Sequence, residues 1–318
     1  MRSVSMVGWR GGLALVVGVA AVGGRAAHGQ DLLVSSRFSN TIIRYNGQTG
    51  ALVGTFASGP QLRNPNGIAY GPDGNLYVGL GDAGSILRYN GQTGAFMNTF
   101  VAAGSGGLAS VRDIAFGPDG NLYANSGGSN RVLKFNGSTG AFVSVAAQLA
   151  GAVTGPVGLT LGADGSVFVG AATSNRAYRF GPGNAFLRSY HPGTLSNTTG
   201  VALGADGMLY VAMSVSNVIA RFNPTTGLLL GTFGAGSGLN IPIYMTVAPG
   251  GDLLVGSFAT DNVLRFDPVT GTSRGVFIAA GLGGLDGTHD LVFMPVPGPG
   301  ALAACVPAAI VCLARRRR

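Results

Sequence analysis

The stretch IAYGPDGNLYVGL (residues 68–80) decides the fold. Its Asp73-Gly74 pair stands between two apolar runs, and Asp-Gly in that setting is the strongest short-range signal for a β-hairpin. The phrase returns as IAFGPDGNLYANS (114–126), LTLGADGSVFVGA (159–171), VALGADGMLYVAM (201–213) and TVAPGGDLLVGS (246–257). A second phrase alternates with it: SNTIIRYNGQTGALVGTF (39–56), GSILRYNGQTGAFMNTF (84–100), SNRVLKFNGSTGAFVSV (129–145), SNRAYRFGPGNAFLRSY (174–190), SNVIARFNPTTGLLLGTF (216–233) and TDNVLRFDPVTGTSRGVF (260–277). This is another hairpin, turning at Asn/Asp-Gly/Pro-x-Thr-Gly. Each unit therefore contains four short antiparallel strands, a to d.

Strand b is expected to begin at Asp31, Asn75, Asn121, Ser166, Met208 and Asp252, at spacings of 44, 46, 45, 42 and 44 residues. Such a period with four strands per unit suits a blade of a β-propeller. The array starts on strand b (DLLVSS, 31–36) and ends on a lone strand a, HDLVF (289–293). The last strand should complete the first blade, giving six blades in a closed ring that leaves no open sheet edge at the seam. Composition agrees with an all-β body. The 318 residues include 56 glycines, 10% charged residues, one lysine (Lys134) and no glutamate, so an exposed helix has little from which to build a polar face.

The formal charge of +8 does not describe the body. Arg2, Arg10 and Arg25 lie near the start and Arg315, Arg316, Arg317 and Arg318 end the chain; without them 13 basic residues face 12 aspartates. A nucleic-acid partner is excluded on that balance. Residues 1–29 read as a signal peptide: a basic start, the apolar core Leu13 to Val22, and Ala27-His28-Gly29 before a cleavage point at Gln30. Residues 295–318 combine Pro295, Pro297 and Pro299, an apolar run from Gly300 to Ala314, and the four terminal arginines. Fifteen helical residues span about 22 Å against a hydrocarbon core of about 30 Å, a short crossing whose arginines favour the cytoplasmic side. The only cysteines, Cys305 and Cys312, lie in this tail, so the body at 30–294 folds without disulfides.

The tail resembles the PEP-CTERM sorting segment of bacteria, with Pro295-Val296-Pro297 or Pro297-Gly298-Pro299 where that family has Pro-Glu-Pro, and with Arg315, Arg316, Arg317 and Arg318 as its terminal arginine cluster. The resemblance implies an exosortase-like processing enzyme as partner and delivery to the outer envelope, cell surface or extracellular matrix. A single-pass C-terminal anchor is the alternative. The body resembles NHL-repeat propellers through Pro65-Asn66-Gly67-Ile68-Ala69, Pro156-Val157-Gly158-Leu159-Thr160 and the Asp-Gly-Asn-Leu-Tyr-Val phrase. The SMP-30/gluconolactonase-like and virginiamycin B lyase-like proteins share that style. WD40 propellers are disfavoured, since no Trp-Asp signature occurs.

In an NHL-like propeller strand a is innermost, and function should appear as departures from the repeat near its start. The leading pairs are Asn66-Gly67, Arg112-Asp113, Val157-Gly158, Thr199-Gly200, Tyr244-Met245 and His289-Asp290. Asp113 and Asp290 replace the recurrent glycine, with Arg112 and His289 beside them. Asn66, Arg112, Asp113, Tyr244, His289 and Asp290 are the candidate ligand-binding set. His289, Asp290, Arg112, Asp113 and His191 are the candidates for acid–base chemistry or for a divalent cation. The related lactonases place a glutamate among their metal ligands and the lyases use a histidine–glutamate set; this chain has no glutamate. The six strand-c cations (Arg44, Arg88, Lys134, Arg179, Arg221, Arg265) recur in every blade, as do the aromatics that follow them, and both read as framework. The reading is a non-enzymatic binding or structural propeller with no cofactor, its partner a polysaccharide or an envelope protein. The alternative is a divergent lactonase or lyase.

Overall fold

A computed structural model describes residues 30–149 and 155–296. Blade one contains β1 (Leu32–Ser36), β2 (Thr41–Tyr45) and β3 (Leu52–Ala57). Blade two follows with β4 (Pro65–Tyr70), β5 (Leu76–Leu80), β6 (Ile86–Tyr89) and β7 (Phe96–Val101). Blade three has β8 (Val111–Phe116), β9 (Leu122–Ser126), β10 (Arg131–Phe135) and β11 (Phe142–Gln148). Blade four has β12 (Pro156–Leu161), β13 (Val167–Ala171), β14 (Arg176–Gly181) and β15 (Ala185–Tyr190). Blade five has β16 (Thr198–Leu203), β17 (Leu209–Met213), β18 (Val218–Phe222) and β19 (Leu229–Phe233). Blade six has β20 (Pro242–Val247), β21 (Leu253–Ser257), β22 (Asn262–Phe266) and β23 (Ser273–Ile278). The last strand, β24 (Thr288–Phe293), pairs antiparallel with β1 and completes blade one, as the ends of the repeat array require. Each b strand begins one residue later than the sequence suggests, because the turn residue ahead of it stays outside the ladder.

The turn chemistry repeats with the blades. Gly74 has φ +74°, a left-handed conformation that a side chain would strain, and the Asp73 carboxylate accepts the Asn75 N–H to close the hairpin. At the c–d turn Asn46 Oδ1 accepts the N–H groups of Gln48 and Thr49, an arrangement repeated at Asn90, Asn136, Asn223 and Asp267. Neighbouring blades are tied by the residue that opens strand c. Asn40, Asn130, Asn175, Asn217 and Asp261 hold positive φ, and the side-chain oxygen of each accepts an N–H from the loop that feeds the next inner strand.

Six apolar clusters lie between successive blades. The aromatics following the strand-c cations (Tyr45, Tyr89, Phe135, Phe180, Phe222, Phe266) are buried in them, each packed on the preceding blade. The cations themselves pair within their own blades: Arg44–Asp31, Arg88–Asp73, Lys134–Asp119, Arg179–Asp164, Arg221–Asp206 and Arg265–Asp252, at 2.5 to 3.7 Å. These half-exposed pairs use up the ring of positive charge. Such pairs stabilise little in water, so the ion pair itself is expected to contribute less than about 1 kcal/mol to the cost of Arg88→Ala, the rest being the packing of its guanidinium on Phe100. Denaturant midpoints of both proteins at low and high salt check this, and only the ion-pair share of the difference should vanish in salt.

Among the described residues no helix is long and apolar enough to cross a membrane. Residues 1–29, Pro297, Pro299, Arg315, Arg316, Arg317 and Arg318 lie outside the described residues, so the leader and most of the sorting segment do too. Pro295 is described and follows β24 without regular structure.

Candidate functional site

The six inner strands β24, β4, β8, β12, β16 and β20 line the central channel. Each breaks register with its strand b near its start, between Pro65/Ile68, Val111/Ile114, Pro156/Leu159, Thr198/Val201 and Pro242/Met245, and between Val34/Ser36 on the β1 side of the β24 pair. A bulge of this kind turns backbone N–H groups out of the ladder and re-aims side chains. The residues at these bulges are the leading pairs in five blades; in blade six they are Ile243 and Tyr244, so Tyr244 rather than Met245 stands at the glycine or aspartate position, and Met245 pairs with Val255 as Ile68 pairs with Val78.

Asp113 and Asp290 answer the freed N–H groups. Asp113 Oδ1 accepts the N–H of Ile114 at 2.8 Å, and Oδ2 accepts that of Leu159 in the next blade at 2.6 Å. Asp290 repeats the pattern with Leu291 at 2.8 Å and with Ile68 in the next blade at 2.7 Å. Each carboxylate therefore clamps its blade to the one that follows. Elsewhere the inner strands touch backbone to backbone: a Cβ on Gly67 would lie 2.5 Å from the Asp113 Cα, and one on Gly200 2.1 Å from the Ile243 oxygen. Glycine and aspartate are two solutions to one narrow ring.

Tyr244 closes the channel across its width. From blade six its hydroxyl reaches the carbonyls of Arg112 at 2.8 Å and Val157 at 3.1 Å, in blades three and four. His289 packs on the Tyr244 ring at 4.5 Å, and Phe258 meets His289 edge-on. Asn66 donates to the Val111 carbonyl, Thr199 lies against the carbonyls of Ala212 and Pro242, and Ser35 donates to the Asn66 carbonyl. Five of the six candidate ligand-binding residues are buried here, and Arg112 is half-buried. His191 does not join them. It is exposed in the loop after β15, where its Nδ1 accepts the Gly193 N–H.

Burial governs the electrostatics. It raises the Asp113 carboxyl well above the usual range, and the charge of Asp290 adds to the rise. Burial likewise lifts Asp290 to about 7. Burial, then the two aspartates, pushes the Tyr244 phenol well up. His289 is lowered well below its ordinary value by burial and then by the positive charges of Arg37 and Arg112, so its ring is neutral. Its Nδ1 is buried without a hydrogen-bond partner.

Beyond Tyr244, toward the a–b turns, the channel holds a chamber of about 430 Å³. Asp113 and Asp290 stand at its inner end, with Tyr70, Phe116, Thr160 and Thr246 among its walls. Among the described residues no three His, Cys, Asp or Glu side chains converge on a metal position. Calcium takes six to eight oxygens, and the two channel carboxylates already accept four backbone N–H groups. Sequence offers one signal for Arg37, its place in a b–c turn with no repeated counterpart, and none for the reach of Tyr244.

No protein-family model and no curated protein matches the chain. Solved structures do match in shape. The chain is similar to the virginiamycin B lyase of Staphylococcus aureus, solved as a catalytically inactive variant with quinupristin, at 18% identity and a TM-score of 0.54, covering 74% of this chain and 71% of that one. A streptogramin B lyase aligns at 17% identity and a TM-score of 0.55, covering 87% and 77%. A chain of a nidogen/laminin complex aligns at 15% identity and a TM-score of 0.69, covering 84% of this chain and 99% of that one. At these identities the likeness establishes the six-bladed β-propeller fold and nothing further.

Proposed function

We propose that this propeller is a non-enzymatic binding module of the bacterial cell surface or extracellular matrix, in the NHL-like style, that meets a polysaccharide or envelope protein on its outer rim. One observation carries the reading. The outermost strands and the turns that open them present apolar side chains to solvent in five of the six blades: Leu52 and Val53, Phe96 and Met97, Phe142 and Val143, Phe186 and Leu187, Leu228 and Leu230, each 43–62% exposed. A recurring apolar belt on edge strands invites docking, and soluble proteins seldom carry one without a use for it. The channel supports the same reading, because the Asp113 and Asp290 carboxylates and the Tyr244 hydroxyl are spent on holding the blades together. Export by the leader, and an exosortase-like enzyme acting on residues 295–318 or a membrane anchor formed by them, would put the belt within reach of that partner.

The second reading is a divergent lactonase or lyase, and the observation in its favour is the unpartnered Nδ1 of neutral His289 beside Arg37 and Arg112. Retention of the chain on isolated envelope and matrix material decides between them. Met97→Ser/Val143→Ser/Leu187→Ser, at rim positions 45–50% exposed, is expected to lower retention at least tenfold while the β-sheet circular dichroism stays unchanged. Retention equal to that of the unaltered chain would remove the rim from the account.

A further inference from the structure

Three departures from the repeat fall at one place, the outer seam between blades three and four. Five blades carry an aromatic residue at the same position of strand d: Phe56, Phe100, Tyr190, Phe233 and Phe277. Blade three has Ala146 there. The cation of strand c is arginine in five blades and Lys134 in blade three, the single lysine of the chain. The c–d turn of blade four, facing this seam, is the short Pro182–Asn184 segment, one residue shorter than its counterparts.

Together these changes open a slot of about 250 Å³, lined by Asp119, Tyr123, Lys134, Ala146, Pro182 and Gly183. The other blades show what such a position accepts. Phe100 packs edge-on against Tyr77 at 4.8 Å beneath Arg88, whose guanidinium lies 5.5 Å from the Phe100 ring. Phe233 packs on Tyr210 at 6.1 Å and on Phe266 of the next blade at 5.6 Å. In blade three the strand-b aromatic (Tyr123), the overlying cation (Lys134, 5.5 Å from that ring) and the next blade's Phe180 are all in place. Only the central ring is missing from the set.

We propose that this slot binds one free aromatic ring of the phenol class. The ring would stack against Tyr123 under the Lys134 ammonium, with its hydroxyl at the Lys134–Asp119 pair (2.7 Å). Cation–π attraction and edge-on aromatic packing favour a ring over a saturated ligand of equal size. An apolar cavity of roughly 150 Å³ already suffices for benzene, so the slot has room for a ring with its substituent.

The test is calorimetric titration of the purified full-length chain with phenol, and with cyclohexanol as the saturated comparison. One phenol should bind with a dissociation constant on the order of 0.1–1 mM, the range open to so small a ligand, and cyclohexanol at least tenfold more weakly. Ala146→Phe should abolish phenol binding and raise the melting midpoint by roughly 3–8 °C, as expected when a buried ring fills a cavity. Ala146→Leu, a smaller change, should weaken binding at least fivefold, and Phe100→Ala should add a second phenol site at the equivalent seam. No binding to the unaltered chain, equal binding of cyclohexanol, or undiminished binding by both Ala146 variants would overturn the proposal.

Discussion

Deleting residues 288–294 should make the propeller aggregate and lower its melting midpoint. The segment is the whole inner strand of blade one, and its removal exposes the hydrogen-bonding edge of β1 over Leu32 to Ser36. It also removes Leu291 and the partly buried Val292 and Phe293 from the clusters on either side of the seam. Each such side chain stabilises by about 1.5–3 kcal/mol when fully buried, against a total stability of about 5–15 kcal/mol for a typical domain. The Asp290 clamp and the His289–Tyr244 stack go with it. An open edge beside an uncovered apolar face is a site of chain-to-chain pairing. Size-exclusion chromatography and thermal circular dichroism report both consequences. A monomeric deletion variant with an unchanged midpoint would mean that the ring is closed by some other pairing.

The second large effect lies at the channel carboxylates. In the folded protein both Asp113 and Asp290 hold their protons to higher pH than in the unfolded chain, where an aspartate loses its proton near 4. Between about pH 4 and 7 the folded state therefore binds more protons than the unfolded one, and stability falls as pH rises. His289 opposes this below about pH 6.5, since the unfolded chain protonates a histidine that the fold keeps neutral. One histidine against two carboxyls leaves a net loss of stability from about pH 5 to about pH 7. Asp73, Asp119, Asp164 and Asp206, lowered through hydrogen bonds and their cation partners, stay ionised throughout this window. Asp290→Ala leaves the Ile68 and Leu291 N–H groups without an acceptor, and is expected to cost roughly 2–5 kcal/mol at about pH 5. At about pH 8 the cost should be smaller, because the repulsion from Asp113 goes with the side chain. Urea midpoints at the two pH values test this; a variant with a steeper pH slope than the unaltered protein would contradict it.

The Asp-Gly hairpins and the Asn-x-x-Thr-Gly turns made the blades legible, because both are local signals written in turn residues. Ring closure was legible too, from a chain that begins on strand b and ends on an unpaired strand a. The site was legible only as a set of exceptions. That Asp113 and Asp290 replace glycine could be read directly; that they clamp neighbouring strands depends on N–H groups released at bulges, which no residue pattern announces. Tyr244 makes its two hydrogen bonds 132 and 87 residues away in sequence, across the channel. The alanine at 146 was readable in principle, since FVSVAA stands where other blades end in an aromatic.

The central claim is that the rim carries the function and the channel carries the fold. The most direct test measures the fraction of chain retained on isolated envelope and matrix material for two variants side by side. Tyr244→Phe removes the hydroxyl that bridges Arg112 and Val157, while Met97→Ser/Val143→Ser/Leu187→Ser changes exposed rim side chains and leaves the edge-on pairs of Phe96, Phe142 and Phe186 with the buried strand-c aromatics in place. Retention should be unchanged for the first and fall at least tenfold for the second. Loss with Tyr244→Phe and full retention by the rim variant would contradict this and move the function into the channel.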